Sequence, residues 1–299
     1  MYMRLRGKIA VVTGGARGIG AAIAYKLGVE GARVVLFDVD REGGEYRERW
    51  LKDRGVDALF VHGDVAEERD VARLFEAVEG RYGGVDILVN NAGVGNFKDF
   101  FEETLEDWYR VIDTNLTGPY LCSKYAARIM ARRGGGVIVN IASTRAFQSE
   151  PNTAPYSASK GGLIALTHSL AITLAKYRIR VVAVSPGWID TSAWQIPPRE
   201  PSLNRLDHGQ HPAGRVGDPM DVASLVAFLA SDEASWITGV NFTIDGGMTV
   251  KMIYLDPAVI SDAVSTLTGD AEFSALLKKA LERWDEYGPK VREALRSAL

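Results

Sequence analysis

The sequence predicts an α/β fold, a sheet of seven parallel strands covered by helices on both faces, and three observations predict it. Short β-branched runs alternate with longer stretches of helical apolar spacing from residue 8 to about 245. Those runs are apolar almost throughout, whereas a strand with one wet face would alternate. The first run passes straight into a glycine-rich turn and then a helical pattern. Parallel strands need crossovers, and helices between them supply those crossovers.

In chain order the strands are KIAVVT from Lys8, RVVLFD from Arg33, ALFVHG from Ala58, DILVNN from Asp86, GVIVNIAS from Gly136, RVVAVSP from Arg180 and NFTID from Asn241. Helical spacing covers roughly 18–30, 67–82, 106–132, 155–177 and 219–231, the last opened by Gly217-Asp218-Pro219 as a cap and first turn. Right-handed crossovers make this a doubly wound, Rossmann-like sheet. The stretch from Trp188 to Arg215 is rich in Pro, Trp, His and Arg and too long for an ordinary connection, which predicts a functional, substrate-facing loop. Beyond Met248 a mixed-charge extension runs over 249–299, with helical spacing in FSALLKKALERWDEYGPKVREAL.

Bulk properties narrow the function. Among 299 residues, 46% are hydrophobic and the net charge is -3 with signs interspersed, so no basic field is present to hold nucleic acid or an anionic membrane. The expected partner is a small molecule. The single Cys122 rules out an internal disulfide and reads as a small core residue, and the start MYMRLRGKIAVVTGG is too glycine-rich for a signal peptide. No apolar run approaches the roughly 20 residues that span a bilayer. A cytoplasmic protein is expected.

After the first strand the chain reads Thr13-Gly14-Gly15-Ala16-Arg17-Gly18-Ile19-Gly20 and enters a helix, whose first amides can face a pyrophosphate that the glycines allow to approach. Asp38 ends the second strand 18 residues after Gly20, where its carboxylate can accept from adenosine ribose hydroxyls. Arg17, helped by Arg41, points the other way, towards a 2′-phosphate. Such a phosphate would meet Asp38 with a repulsion of about 4 kcal/mol per charge at about 4 Å and an effective dielectric near 20. NAD is therefore expected in preference to NADP.

Tyr156 and Lys160 are four residues apart in a helical pattern and share one face. A neighbouring ammonium stabilises phenolate and turns a weakly acidic phenol into a usable proton donor or acceptor. Ser143 follows the fifth strand at the carboxyl end of the sheet, where its hydroxyl can hold a substrate oxygen. Arg145 and Gln148 lie just beyond it, and with Trp188 and Trp194 they are candidates for substrate contact.

These residues resemble the short-chain dehydrogenase/reductase superfamily. TGGARGIG, Asn90-Asn91-Ala92-Gly93, Tyr156 with Lys160, and Pro186-Gly187 appear in the family's order, and the likeness covers residues 7 to about 248. It implies a single NAD-binding catalytic domain over 1–248, with loop 188–215 serving the substrate. By resemblance Gly14, Gly18, Ile19 and Gly20 cradle the pyrophosphate, Asp64 and Val65 meet the adenine, and Asn91, Ala92 and Gly93 wall the adenosine ribose. Asn115 completes a catalytic tetrad by anchoring a proton-passing water, and Lys160 also binds the nicotinamide ribose. Pro186 and Gly187 back the nicotinamide, with Thr191 and Ile189 at its carboxamide. The resemblance implies metal-free hydride transfer between the cofactor and an alcohol or carbonyl carbon.

It further implies a homotetramer or dimer through helices 106–132 and 155–177, with the 249–299 extension on the domain or a neighbouring subunit. The expected substrate is a secondary alcohol, sugar or polyol, or hydroxy acid. A 3-oxoacyl-thioester reductase is the enzyme alternative, and a dinucleotide-sensing protein without turnover the non-enzyme one. His208 and His211 are three apart but lack a third ligand cluster, so no metal is expected. His62 and His168 read as packing or surface residues, and Phe97, Phe100 and Phe101 as an apolar wall or a core cap.

Overall fold

The computed structural model describes residues 3–252, 269, 271–283, 286, 289 and 290. β1 (Ile9–Thr13), β2 (Arg33–Asp38), β3 (Ala58–His62), β4 (Ile87–Asn90), β5 (Gly136–Ile141), β6 (Ile179–Pro186) and β7 (Asn241–Ile244) form one sheet in the order β3-β2-β1-β4-β5-β6-β7. Every pairing is parallel, as the continuous apolar runs predict. The order reverses between β1 and β4, which opens a crevice at their carboxyl ends.

Alternate strand residues feed two cores. Ala10, Val12, Val34 and Leu36 pack with Ile23 and Leu27 of α1 (Gly18–Val29) and Val222 and Val226 of α8 (Pro219–Ala230). Ile9, Val11, Val35 and Phe37 face the other side, against Leu74 and Phe75 of α3 (Glu68–Tyr82) and Cys122 and Met130 of α5 (Gly118–Arg133). Burial on both faces explains why these strands carry no polar alternation.

Two helical expectations change. The segment read as one helix over 106–132 is α4 (Leu105–Ile112), a π turn at Asp113–Thr117 and α5. Such an inserted residue leaves no mark in the apolar period, yet here it contains Asn115. The structure also adds α2 (Arg41–Lys52), which the sequence did not suggest because Gly43 and Gly44 lie in its first turn and its mean hydropathy is low. α6 (Ala154–Leu174) carries the Tyr156–Lys160 pair as expected.

A buried amide ladder ties the layers below the crevice. Asn90 Nδ2 donates to Asn140 Oδ1 at 2.8 Å and Ser123 Oγ at 3.1 Å, and Asn140 Nδ2 donates to Thr167 Oγ1 at 2.9 Å. β4, β5, α5 and α6 are thereby held in one register.

The chain divides into two compact units, 1–201 with 217–245 and 202–216 with 246–299. The first contains the sheet. The second contains α7 (Arg205–Gly209), capped by Asn204, and α9 (Ala271–Glu282), which lies in the extension read as helical. Within it His208 Nδ1 accepts from Val216 N at 3.2 Å, and His211 Nδ1 lies 3.1 Å from Asp207 O. Among the described residues no cluster of three or more His, Cys, Asp or Glu could hold a metal, and no helix is long and apolar enough to cross a membrane. Residues 253–268 and 291–299 of the extension lie outside the described residues.

Candidate active site

The glycine turn is fixed from behind. Thr13 Oγ1, at the end of β1, accepts from Asn91 N at 3.0 Å and Ala92 N at 3.1 Å, while Asn91 Nδ2 donates to Thr13 O and Gly14 O, both at 3.0 Å. A Cβ on Gly20 would fall 2.0 Å from Gly14 O and 2.4 Å from Asn91 Nδ2, so only glycine lets helix and turn close this tightly. α1 begins at Gly18, and the preceding Arg17 makes no side-chain cap, which leaves the first turn available to an external anion.

In front of the turn lies a cleft of about 350 Å3. It is lined by Gly14, Arg17, Gly18, Asp38, Asp64, Val65, Asn91, Ala92 and Gly93, all expected cofactor residues, together with Val39, Asp40, Thr114 and Gln195. Asp38 is pinned by Ala16 N on one carboxylate oxygen and Asp40 N on the other, each at 3.0 Å. Arg17 pairs with Asp40 at 2.6 Å, and Asp40 in turn caps α2 through Gly43 N. Asp64 Oδ1 accepts from Ala66 N at 2.9 Å. The cradle that a Cβ would fill, the uncapped helix start and the strand-end carboxylate together fit a dinucleotide.

At the same end of the sheet α6 brings Tyr156 and Lys160 to Ser143. Ser143 stands close enough to the Tyr156 phenol to influence it, and Ser143 Oγ accepts from Arg145 N at 3.1 Å. Burial pushes the phenol above its ordinary value, and the Ser143 hydroxyl and the Arg145 charge pull it back. Lys160 is fully enclosed, its Nζ donating to Ile141 O at 2.8 Å and lying 5.5 Å from the Tyr156 ring centre. Burial lowers this ammonium to about 8.

Asn115 is buried with both amide hydrogens engaged, one on Val94 O at 2.9 Å and one on Ser159 Oγ at 3.1 Å, while its Oδ1 accepts from Val94 N at 2.8 Å. A Cβ on Gly93 would lie 3.4 Å from Asn115 Oδ1 and 3.5 Å from Lys160 Nζ. The glycine keeps open the space that these two polar groups share.

Pro186 is buried at the end of β6, and Gly187 N donates to Ile244 O at 3.0 Å. Ile189 bridges to Gly217, and Thr191 Oγ1 accepts from Gln195 Nε2 at 3.0 Å. Arg145 forms an ion pair with Glu150, Gln148 is half-buried beside it, and Trp188 is partly exposed. Trp194, a candidate for substrate contact, is also part of an aromatic cluster. Its ring packs 6.0 Å from both Tyr25 and Trp50, because the short turn at Ser192–Trp194 directs it onto α1 and α2. Phe97, Phe100 and Phe101 are exposed and cap no core.

Sequence reasoning missed Thr13, Ser159, Gln195 and Asp40. Thr13 had a signal, a hydroxyl ending an otherwise apolar strand. Asp40 had one too, an Asx residue just before a helix. Ser159 and Gln195 have partners 44 and 4 residues away that only the folded chain pairs.

The chain's relatives agree with this arrangement. The family profile described as enoyl-(acyl carrier protein) reductase matches residues 14–249. An uncharacterized oxidoreductase of Thermotoga maritima is 60% identical over 253 residues, 84% of this chain and 99% of that protein. The cis-4-hydroxycyclohexanecarboxylate dehydrogenase of Sinomonas cyclohexanicum is 42% identical over 243 residues, 81% of this chain and 96% of its own. The crystal structure of a short-chain type dehydrogenase/reductase from Mycobacterium marinum gives a TM-score of 0.76 at 33% identity, covering 84% of this chain and 98% of that one. With the parallel sheet, glycine turn and Ser-Tyr-Lys cluster already in view, these likenesses identify the chain as a member of the short-chain dehydrogenase/reductase family, oxidoreductases of CH–OH groups.

Proposed function

We propose that this protein is an NAD(H)-dependent dehydrogenase or reductase that interconverts a secondary alcohol, sugar or polyol, or hydroxy acid and its carbonyl. The observation that carries the cofactor choice is the Arg17–Asp40 ion pair beside the pinned Asp38. With Arg17 so engaged, two carboxylates line the ribose end of the cleft, and a 2′-phosphate there would meet both. Ribose hydroxyls instead find an acceptor in Asp38.

A nicotinamide dinucleotide held in this cleft would supply a hydride acceptor for the alcohol carbon or, when reduced, a hydride donor for the carbonyl carbon. Tyr156 takes the hydroxyl proton in oxidation and gives it back in reduction. Ser143 holds the reacting oxygen next to that phenol. Lys160 contributes positive charge below its value of about 8, favouring phenolate. Asn115 fixes the turn at Val94 and so the pocket wall next to Lys160. Ile189, Thr191, Pro186 and Gly187 form the nicotinamide side, and the first turn of α1 holds the pyrophosphate.

Arg145 and Gln148 flank Ser143, which supports a polar or acidic substrate, and the Sinomonas relative acts on a ring alcohol bearing a carboxylate. Loop 188–215 remains the proposed substrate-specific segment. We further infer a homotetramer or dimer through α5 and α6, where Tyr120 and Ile172 are exposed, as is Tyr177 in the turn after α6, in a cytoplasmic setting.

The test is absorbance of the reduced nicotinamide with NAD or NADP across alcohols, polyols, hydroxy acids and 3-oxoacyl thioesters, for wild type and Tyr156→Phe. Turnover with NAD on a hydroxylated substrate, reduced by about 10³-fold in the variant, is expected. Turnover confined to thioesters with NADP would replace this reading with the acyl reductase, and binding without turnover would point to a sensor.

A further inference from the structure

We propose that Arg47 is a positioning residue that locks the loop after β6 against the glycine turn and thereby sets dinucleotide affinity. The inference rests on reading the cleft as a dinucleotide site. Arg47 lies on α2, outside every motif that the sequence analysis singled out, and its side chain is buried. Nε donates to Ala16 O, inside the glycine turn, at 3.0 Å, and Nη2 donates to Trp194 O at 3.2 Å. One guanidinium therefore joins the two segments between which the cleft is built, Ala16 in the glycine turn and Trp194 in the loop after β6.

Local sequence delivers it there. A Cβ on Gly44 would lie 2.1 Å from the Phe60 ring, and one on Gly43 would lie 2.3 Å from Asp40 Oδ2. The glycine pair that weakens the helical pattern lets α2 seat closely on β3, and Arg47 follows one turn later. Its guanidinium carbon is 4.9 Å from the Trp50 ring centre and 5.7 Å from that of Trp194. A planar guanidinium suits this slot, because it stacks on rings while its edge donates to two carbonyls.

The charge is costly where it sits. Burial pulls Arg47 below its ordinary value, and no carboxylate among the described residues pairs with it. A role in stability alone would be served as well by an apolar side chain of similar length, which avoids that cost. What an apolar side chain cannot do is hold two loop carbonyls at fixed separation. Thr191 and Gln195 belong to the held loop, and Thr191 Cγ2 lies 3.5 Å from where a Gly18 Cβ would stand. Releasing the Trp194 carbonyl therefore frees the wall that faces the start of α1.

Full-length wild type, Arg47→Met and Arg47→Lys test the proposal by NADH and NADPH fluorescence titration, steady-state kinetics, melting temperature and hydrogen exchange over residues 191–199. In Arg47→Met the dinucleotide Kd and KM should rise about tenfold while kcat at saturation stays within about threefold. Exchange over 191–199 should rise in the free protein, and Arg47→Lys should recover part of both effects. Kd within about twofold of wild type with unchanged exchange would overturn the proposal. A fall in melting temperature with neither loop exchange nor Kd altered would make Arg47 merely structural. Should Arg47→Met fail to fold, Arg47→Lys is read by the same criteria. A wild type that prefers NADPH refutes the Asp38 argument alone, since the Arg47 comparison then runs with NADPH; one that binds neither dinucleotide overturns both.

Discussion

Lys160 Nζ lies 5.5 Å from the centre of the Tyr156 ring and donates a 2.8 Å hydrogen bond to the Ile141 carbonyl. The ammonium is thus anchored to the end of β5, near the Tyr156 ring and the space left open by Gly93. The same enclosure moves the two groups in opposite directions, Tyr156 upwards and Lys160 down to about 8, because burial disfavours whichever form is charged. A neutral phenol beside a readily deprotonated amine is a resting arrangement. Added positive charge at this end of the cleft shifts it towards phenolate.

Lys160 makes stability pH-dependent in a defined sense. Its folded value of about 8 lies below the unfolded 10.5, so between those limits the unfolded chain binds more protons and stability rises with pH. Wild type should gain up to about 3 kcal/mol relative to Lys160→Met from pH 8 to 10.5, at about 1.4 kcal/mol per unit. Urea unfolding of both proteins across that range measures it. Parallel stability curves would mean that the buried lysine keeps its ordinary value of 10.5 in the folded protein.

Ser143→Ala removes the hydroxyl that faces the Tyr156 phenol while leaving the glycine turn untouched. The expected loss is about 10²-fold in kcat, in the range for one hydrogen-bond donor at a reacting oxygen, with dinucleotide Kd unchanged. A variant that loses affinity and keeps kcat would remove Ser143 from the chemistry.

Gly20→Ala must put a methyl group 2.0 Å from Gly14 O. The turn has to open or the helix has to retreat, so dinucleotide binding should fall at least about a hundredfold, the equivalent of about 3 kcal/mol. Calorimetric titration with NADH reads this directly. Binding within tenfold of wild type would show that the turn yields without cost.

Most of the sheet and the gathering of Ser143, Tyr156 and Lys160 at its carboxyl end were legible because they depend on local pattern. Seven apolar runs gave seven strands, and the four-residue Tyr156–Lys160 spacing gave a shared helix face. What stayed hidden depends on tertiary approach. The glycines of α2 weaken its helical pattern and only the approach of Phe60 accounts for one of them, Gly44, while the π turn at Asp113–Thr117 is silent in the hydrophobic period. Trp194 is a further case, since an aromatic residue in a polar loop suggests a ligand contact, while its packing with Tyr25 and Trp50 is visible only in the folded chain.

The proposed preference for NAD rests on two carboxylates with separable duties. Asp38 presents its charge to the cleft, and both its oxygens also hold backbone amides, of Ala16 and Asp40. Asp40 neutralises Arg17 at 2.6 Å and caps α2 through Gly43 N. Asp38→Asn removes the charge and turns an amide group towards one of those backbone donors, so it should weaken NAD use about tenfold. Asp40→Ser keeps a helix cap and releases Arg17 from its ion pair. Alone, it leaves Asp38 facing any 2′-phosphate and should change the NADP to NAD ratio of kcat/KM little. Combined with Asp38→Asn it frees a guanidinium in a cleft that no longer repels phosphate, and the ratio should rise by about 10² or more, because a charged hydrogen bond of about 1.5–3 kcal/mol is added as repulsion is lost. The four proteins form a cycle whose coupling is read from initial rates with each dinucleotide. A double variant whose ratio equals the product of the single effects would mean that Arg17 does not reach the phosphate, and that the preference for NAD rests on Asp38 alone.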